Sequence, residues 1–142
     1  MKWLKRIFGI SETQPPGNNA SWEFANQAIR IDLNQMPELA HPGSAVRLEG
    51  KGLPVRTLVV HGKDGDFHAF ANRCTHMGRR IDILPGTDRI ECCSVSKSTF
   101  DYDGQPLGGA ARKPLRVFTA TLSDTELTIQ LTQYRLGCDR NL

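Results

Sequence analysis

Short runs of alternating apolar and polar residues, separated by turn residues, fill the chain from Trp22 onward. The runs occupy residues 28–33, 45–49, 55–61, 67–70, 115–119 and 126–131. Asp64-Gly65 lies between two of these runs and is a strong hairpin signal. After residue 30 no segment carries a long apolar period of about 3.6 residues, as an amphipathic helix would. The pattern therefore predicts an all-β domain built from short antiparallel strands.

The two ends of the chain differ from this central region. Residues 1–10 place bulky apolar and basic side chains at helical spacing, which suits either a frayed tail or a segment lying on an anionic membrane surface or a partner. Ten residues fall below the length at which an isolated helix is stable in water, and this favours the tail. Residues 11–20 are a linker by composition. We expect one domain over residues 21–133 and a tail over residues 134–142.

The composition limits the function classes open to the chain. Its 142 residues are enough for one domain with a sizeable core. A hydrophobic share of 39% and a charged share of 23% indicate a folded protein. The 18 Lys and Arg residues against 15 Asp and Glu give a net charge of +3. Nucleic acid binding normally requires a clustered basic face with aromatic platforms, and the sequence has no such pattern, so we expect no nucleic acid partner.

The cysteines and the lack of targeting signals indicate the compartment. The 4 cysteines, two of them adjacent, do not form the pattern of a disulfide framework. No signal peptide is visible, and no run approaches the roughly 18–20 apolar residues of a membrane span. These features predict a cytoplasmic protein with free or metal-bound thiols. The inner membrane surface is the place where residues 1–10 would make a peripheral contact, if they bind a membrane.

The candidate chemistry lies in a loop-rich insert from about residue 72 to about residue 109. Cys74-Thr75-His76 begins the insert, and the adjacent pair Cys92-Cys93 follows later in it. A Cys-x-His turn with a second cysteine at such a distance is how a protein holds a two-iron, two-sulfur cluster with mixed sulfur and nitrogen ligands. Gly78 allows the first loop to turn closely, so that backbone amides can point at sulfur.

The second loop carries a family resemblance. The sequence from Cys93 to Asp101 resembles the Cys-Pro-x-His-Gly-Ser-x-Phe-Asp segment of Rieske proteins. In that register Cys93 is the second cysteine ligand, Ser96 stands where the family has histidine, and Lys97 stands where it has glycine. The positions that match are Ser98, Phe100 and Asp101. The four ligand positions that the resemblance implies are Cys74, His76, Cys93 and Ser96.

The resemblance extends beyond the motif. Residues 26–131 are similar to the running pattern of Rieske ferredoxins, notably in PGSAVRLEG, DGDFHAFANRCTHMGRR, FDYDGQPLGG and KPLRVFTATLSDTELTIQL. It implies a Rieske-like antiparallel β-sandwich with a loop-rich cluster-binding subdomain and a [2Fe-2S] cofactor. It also implies that Gly78 and Ser98 lie directly behind the ligands. The loop that covers the cluster usually carries Gly-Pro in the family, and this chain has Gly108-Gly109 instead.

Serine at position 96 leaves three states of the site open. In the first, a cluster keeps Cys74, His76 and Cys93. Its fourth ligand is then Ser96, a poor iron ligand, or Cys92, although adjacent strand side chains point to opposite faces. In the second, one zinc ion is bound by Cys74, His76 and Cys93, with Cys92 as a further ligand. In the third there is no metal, which the changes at positions 96 and 97 favour and the intact first loop opposes.

The resemblance implies a small iron–sulfur protein that carries single electrons and performs no chemistry on an organic substrate. Aromatic-ring oxygenases of the family attach such a domain to a second domain with mononuclear iron, for which 142 residues leave no room. The expected partners are a flavin reductase and a terminal oxidase or oxygenase. The alternative is a cluster-free or zinc-bound interaction module without redox activity, built on the same fold.

Overall fold

The computed structural model describes residues 10–95 and 97–131, together with Leu4 and Ile7. The strands of this part of the chain are β1 (Trp22–Ala25), β2 (Ala28–Asp32), β3 (Ser44–Leu48), β4 (Thr57–His61), β5 (Phe67–Ala71), β6 (Ile81–Ile83), β7 (Arg89–Cys92), β8 (Thr99–Asp101), β9 (Pro106–Gly108), β10 (Val117–Ser123) and β11 (Glu126–Gln130). Short 3-10 helices span Asn19–Ser21, Leu33–Gln35 and Pro37–Leu39. The all-β prediction is confirmed. Within the described residues, no helix has the length and apolar character that a bilayer crossing requires.

Seven strands form one antiparallel sheet in the order β1-β2-β11-β10-β5-β4-β3. Trp22 of β1, at one edge of the sheet, packs in the same buried cluster as Leu48 of β3, at the other edge. The sheet is therefore strongly curved. The hairpin expected at Asp64-Gly65 connects β4 to β5, where Gly65 has a φ of 87°. Glycine adopts this backbone conformation without strain, so the sequence signal and the observed turn agree.

Strands β4 and β5 are buried on both faces. Val59 and Ala69 point into the core enclosed by the large sheet, whereas Leu58 and Phe70 belong to a second core. Successive strand side chains point to opposite faces, so each strand supplies alternate residues to the two cores. This double burial explains why residues 58–60 are a continuous apolar run rather than an alternating one.

Four strands of the insert form a second antiparallel sheet in the order β6-β7-β8-β9. Ile81, Ile90 and Phe100 of this small sheet pack with Leu58 and Phe70 in the second core. The small sheet therefore covers the outer face of β4 and β5. The sequence pattern identified this region only as loop-rich, because strands of 3 or 4 residues are too short to show an alternation.

A carboxylate at the end of β3 ties the large sheet to the small one. Glu49 accepts hydrogen bonds from Nε and Nη2 of Arg80 at 2.7 and 2.9 Å. Arg47 also donates to Glu49, from Nη1 at 3.1 Å. Arg80 directly precedes β6, so this ion pair fixes the small sheet at its entry.

The amino-terminal linker is attached to the small sheet. Asp82 of β6 accepts hydrogen bonds from the backbone amide of Thr13 at 2.9 Å and from its hydroxyl at 2.7 Å. Thr13 is buried by this contact. Part of the segment expected as a linker, residues 11–20, thus packs on the domain. The expected tail at residues 134–142 and most of residues 1–10 lie outside the described part of the chain.

Phe70→Ala should destabilise the fold strongly. Phe70 is fully buried between the two sheets, and truncation leaves a cavity that the neighbours fill only in part. We expect the free energy of unfolding to fall by about 3–5 kcal/mol, measured by denaturant titration with circular dichroism. Leu122→Ala is the control, because Leu122 is half exposed on β10 and its loss should stay within about 0.5 kcal/mol. Equal losses of unfolding free energy in the two variants would contradict the burial of Phe70 in the second core.

Acid should weaken the link between the sheets. The hydrogen bond from Arg80, assisted by Arg47 and opposed by burial, lowers the pKa of Glu49 from its usual 4.5 to about 2. Because this pKa is lower in the folded state, the contribution to stability is complete above pH 4.5 and is lost as the pH falls toward 2. The side chain is partly exposed, so we expect a loss of about 1 kcal/mol over this range.

The measurement is the free energy of unfolding as a function of pH for three proteins. Glu49→Gln should lack this part of the pH dependence that the wild type shows. Glu23→Gln is the matched control, since Glu23 lies 4.0 Å from its partner Arg30 and both side chains are exposed. If Glu49→Gln shows the same pH dependence of the free energy of unfolding as the wild type, the ion pair is not the source of that dependence.

Candidate metal centre

The first cysteine loop runs from β5 to β6 as a tight turn. The backbone amide of Cys74 donates to the carbonyl of Arg79, and the amide of Gly78 donates to the carbonyl of Cys74, both at 2.7 Å. Gly78 has a φ of 73°, which glycine adopts without strain. The closed loop buries Cys74 and leaves His76 exposed.

Arg56 holds both ends of this loop. Its Nη2 donates to the carbonyl of Asn72 at 3.0 Å and to that of Gly78 at 2.8 Å. The Oδ1 atom of the fully buried Asn72 accepts a hydrogen bond from the amide of Ile81 at 2.6 Å. The sequence analysis missed both residues. The sequence could have indicated Asn72, because it is a polar residue at the end of an apolar strand, directly before the cysteine motif. No feature of the sequence distinguishes Arg56.

The structure brings the thiols of Cys74 and Cys92 together. They hydrogen-bond to each other within the second core, where Ile81 and Ile90 pack around them. Sγ of Cys92 also lies 3.2 Å from the hydroxyl of Ser94. Two sulfur atoms that hydrogen-bond to each other and are shielded from water can form one side of a metal site.

The groups around Cys74 favour its thiolate. The hydrogen bond from the Cys92 thiol lowers the pKa of Cys74 to about 5, against the opposing effect of burial. The backbone amides of His76 and Met77 and the hydroxyl of Ser98 lower this pKa further. The same thiol contact, together with burial, raises the pKa of Cys92. The thiolate is the form of cysteine that binds a metal, so Cys74 is prepared for this role.

Cys93, the cysteine assigned by the family register, lies outside this buried cluster. Strand β7 ends at Cys92, whose side chain follows that of Ile90 into the second core. The next side chain points to the opposite face, as alternation along a strand requires. Burial raises the pKa of Cys93 at its separate position. The structure therefore pairs Cys74 with Cys92, which the sequence analysis held only as an alternative ligand.

His76 lies at a groove of about 710 Å³ next to the thiol pair. Cys74 and Met77 of the same loop also line this groove. The loop thus presents a buried sulfur toward the core and an exposed imidazole toward the surface. A Rieske-type cluster has cysteines on one iron and histidines on the other, and this order of ligands matches the arrangement.

Ser96, the expected fourth ligand, lies outside the described residues. Next to it, Lys97 has a φ of 52°, and its amide donates to the carbonyl of Ser94 at 3.3 Å. Ser94 and Lys97 both belong to the connection between β7 and β8.

Ser98 fastens a covering loop over the thiol pair. Its hydroxyl accepts a hydrogen bond from the amide of Ala111 at 3.0 Å. Gly109 has a φ of 81°, and a Cβ atom there would lie 2.5 Å from the Cα of Ser98. Only glycine permits this approach, which gives the Gly108-Gly109 sequence a structural reason. Ser98 also hydrogen-bonds to Cys74, and Gly78 closes the first loop on the carbonyl of Cys74.

The described residues fit part of the ligand set of a [2Fe-2S] cluster. The thiols of Cys74 and Cys92 suit one iron, and the imidazole of His76 suits the other. Among the described side chains, no group of three or more His, Cys, Asp or Glu is arranged to hold a single metal ion. This part of the chain therefore offers a sulfur pair and a separate imidazole.

Comparisons with known proteins identify the fold. A chain of the complex of reduced oxygenase and oxidized ferredoxin in carbazole 1,9a-dioxygenase is similar, with a TM-score of 0.62, 22% identity and coverage of 75% of this chain and 94% of that one. The ferredoxin of carbazole 1,9a-dioxygenase from Nocardioides aromaticivorans gives a TM-score of 0.57 and 23% identity over 70% and 92% of the two chains.

A larger protein shares the fold over part of its length. The quaternary ammonium Rieske monooxygenase CntA gives a TM-score of 0.51 and 21% identity, over 67% of this chain and 30% of that one. A search of the curated proteins finds no match to the sequence. The model of the Rieske [2Fe-2S] domain matches residues 32–119, which is more than half of the chain. The chain therefore belongs to the Rieske [2Fe-2S] domain family, and the predicted [2Fe-2S] cluster is the cofactor of that family.

Proposed function

We propose that this protein is a one-electron carrier whose [2Fe-2S] cluster is held by Cys74, Cys92 and His76, with Ser96 at the fourth position. The observation that carries the proposal is the pair of buried thiols in contact, next to an exposed imidazole on the same loop. When bound, the cluster supplies reversible one-electron chemistry. The protein supplies a shielded sulfur side and an accessible histidine side.

The residues around the thiols have separate roles. Hydrogen bonds to Cys74 from Ser98 and from the loop amides stabilise negative charge on sulfur, which raises the potential of an iron–sulfur centre. The hydrogen bonds of Arg56 to the first loop, and the loop held by Ser98, exclude water from the two sulfur atoms. Solvent reaches His76 instead, so electron exchange with another protein takes place on that face.

The fourth position separates this chain from its family. Ser96 occupies the place of the second histidine in the sequence register, and an alkoxide there would add negative charge to the cluster. Added negative charge lowers the potential relative to a two-histidine cluster. Cys93 is the alternative at this position, because it is three residues from Ser96 in sequence.

We infer that the partners are a reductase and a terminal oxidase or oxygenase in the cytoplasm. Support comes from the fold likeness to the carbazole dioxygenase ferredoxin, which covers 92% of that ferredoxin. The likeness to the monooxygenase CntA covers 30% of that chain and therefore concerns the shared domain alone. A peripheral membrane contact through residues 1–10 is a further part of this proposal.

A cluster-free or zinc-bound interaction module is the second candidate. The cluster-free form is supported because the described residues contain no group of three ligating side chains around one point, and the paired thiols of Cys74 and Cys92 are then core residues. The zinc-bound form keeps Cys74 as a ligand and would need the residue at position 96 or a rearrangement of Cys93.

Metal analysis of three proteins tests the ligand set. Anaerobically purified wild type should contain about two irons and two acid-labile sulfides per chain, with an EPR signal after dithionite reduction. Cys92→Ser should lower the iron content at least about tenfold, since loss of a ligand exceeds the usual effect of an outer-shell change. The matched variant Cys93→Ser should keep most of the iron.

The other outcomes assign the site differently. Iron lost in Cys93→Ser and retained in Cys92→Ser would restore the family register. Iron lost in both variants would make Cys93 the fourth ligand in place of Ser96. Stoichiometric zinc, or no metal in a well-folded wild type, would establish the second candidate.

Ser96→His tests whether the fourth position limits the cluster. Imidazole is a better iron ligand than a serine hydroxyl, so we expect higher cluster occupancy and a higher reduction potential, by more than about 50 mV. Iron content, a redox titration and nitrogen couplings in the EPR spectrum measure this change. Thr99→His, on the neighbouring strand β8, is the control for a new surface histidine. No gain in Ser96→His would show that the turn around Lys97 no longer supports ligation.

A further inference from the structure

The groove beside His76 is walled by basic side chains. Arg73, Lys113 and Arg116 line it together with Cys74 and His76. No carboxylate stands among its described lining residues. The whole chain of 142 residues has a net charge of +3, and this one groove carries three positive side chains. The charge is therefore concentrated on this face.

The backbone holds these basic residues together. The hydroxyl of Thr75 donates to the carbonyl of Lys113 at 2.8 Å, which joins the first cysteine loop to the chain before β10. The carbonyl of Arg116 accepts a hydrogen bond from the amide of Ala71 at 2.9 Å, at the end of β5. Arg73 is two residues further along the chain and folds back beside Gly78. The backbone positions of the basic residues are thus fixed at the histidine end of the fold.

The opposite end of the large sheet has a different character. A second groove there is lined by Lys63, Asp64, Asp88 and Arg89, with both signs of charge present. Asp64 is further engaged by His68, whose Nε2 lies 2.9 Å from its Oδ2. The molecule therefore contains an internal control. The groove beside His76 has only basic charged side chains among its described lining residues, whereas the groove at the opposite end has charges of both signs.

An exposed apolar side chain accompanies the basic groove. Met77, on the first loop, is 58% exposed and lines the groove. Protein interfaces combine an apolar centre with a charged and polar rim. Methionine suits such a centre because its flexible side chain adapts to a partner surface. A small anion would make no favourable contact with this exposed apolar side chain.

We propose that the basic face, defined by Arg73, His76, Met77, Lys113 and Arg116, docks an acidic surface of the protein with which this chain exchanges electrons. The proposal rests on the proposed function, because it names the partner chemistry of the same site. Charge complementarity at such a face steers the two proteins together and orients His76 toward the partner. Binding then weakens steeply as salt screens the charges.

The first test uses the full chain and a fluorescein-labelled oligoglutamate peptide, followed by fluorescence anisotropy at low salt. Lys113→Glu should weaken binding about threefold to tenfold through the loss and reversal of one charge at the face. Lys63→Glu is the matched control, with the same change of net charge at the mixed groove, and should leave binding within about twofold. Equal weakening in both variants, or no binding at low salt, would overturn the proposal.

Inorganic phosphate separates a protein surface from a small-anion site. At matched ionic strength, phosphate and chloride should displace the peptide equally, because the face recognises a field of charge and not one bound ion. Displacement by phosphate where chloride has no effect would assign the groove to a small anion and overturn the docking proposal. The peptide measurement requires no cluster, so it gives a result even if the proposed function fails.

The second test measures electron exit from the reduced protein. Hexacyanoferrate(III), an anion, and hexaammineruthenium(III), a cation, each accept one electron per molecule and become the corresponding divalent-metal complexes. The anion should react faster at low salt and slow down as salt is added, while the cation should show the opposite trend. Lys113→Glu should reduce the anion's rate about threefold to tenfold relative to Lys63→Glu. A faster cation, or no dependence on salt, would contradict a basic exit face.

Discussion

The burial of β4 and β5 on both faces is the constraint on which the rest of the structure depends. One face of these strands closes the core of the large sheet, and the other supports the small sheet that carries the second cysteine loop. Leu58 and Phe70 pack in the same buried cluster as Cys74 and Cys92, and so help to position the metal centre. A shift of either strand would displace the two cysteine loops relative to each other, since each loop begins at an element anchored in the second core.

Polar contacts complete this arrangement where apolar packing ends. Arg56 binds the backbone of the first loop at both ends, and Glu49 binds Arg80 at the entry to the small sheet. Both arginines lie close together, and the positive charge of Arg80 lowers the pKa of Arg56 in addition to the larger effect of burial. The carboxylate of Glu49 offsets the repulsion between Arg56 and Arg80, so both arginines can stabilise the site.

The sequence allowed the fold class and the first loop to be predicted, because strands of 4 to 7 residues show their pattern and the Cys-x-His motif is local. It did not resolve the small sheet, whose strands are too short to alternate visibly. The family register assigned Cys93 as the second cysteine ligand and left Cys92 as an alternative fourth ligand. Which of these two adjacent thiols faces the second core depends on the pairing of Ile81 with Cys92, a long-range register that the sequence does not reveal.

The frame of the first loop consists almost entirely of backbone hydrogen bonds and contacts from outside the motif. Arg56 grips carbonyl groups, and the amides of Cys74 and Gly78 bond within the loop, so none of these contacts uses a ligand side chain. Evolution can therefore exchange a ligand while the loop keeps its shape. A loop built on such a frame can accept a different residue at His76 and still keep its architecture.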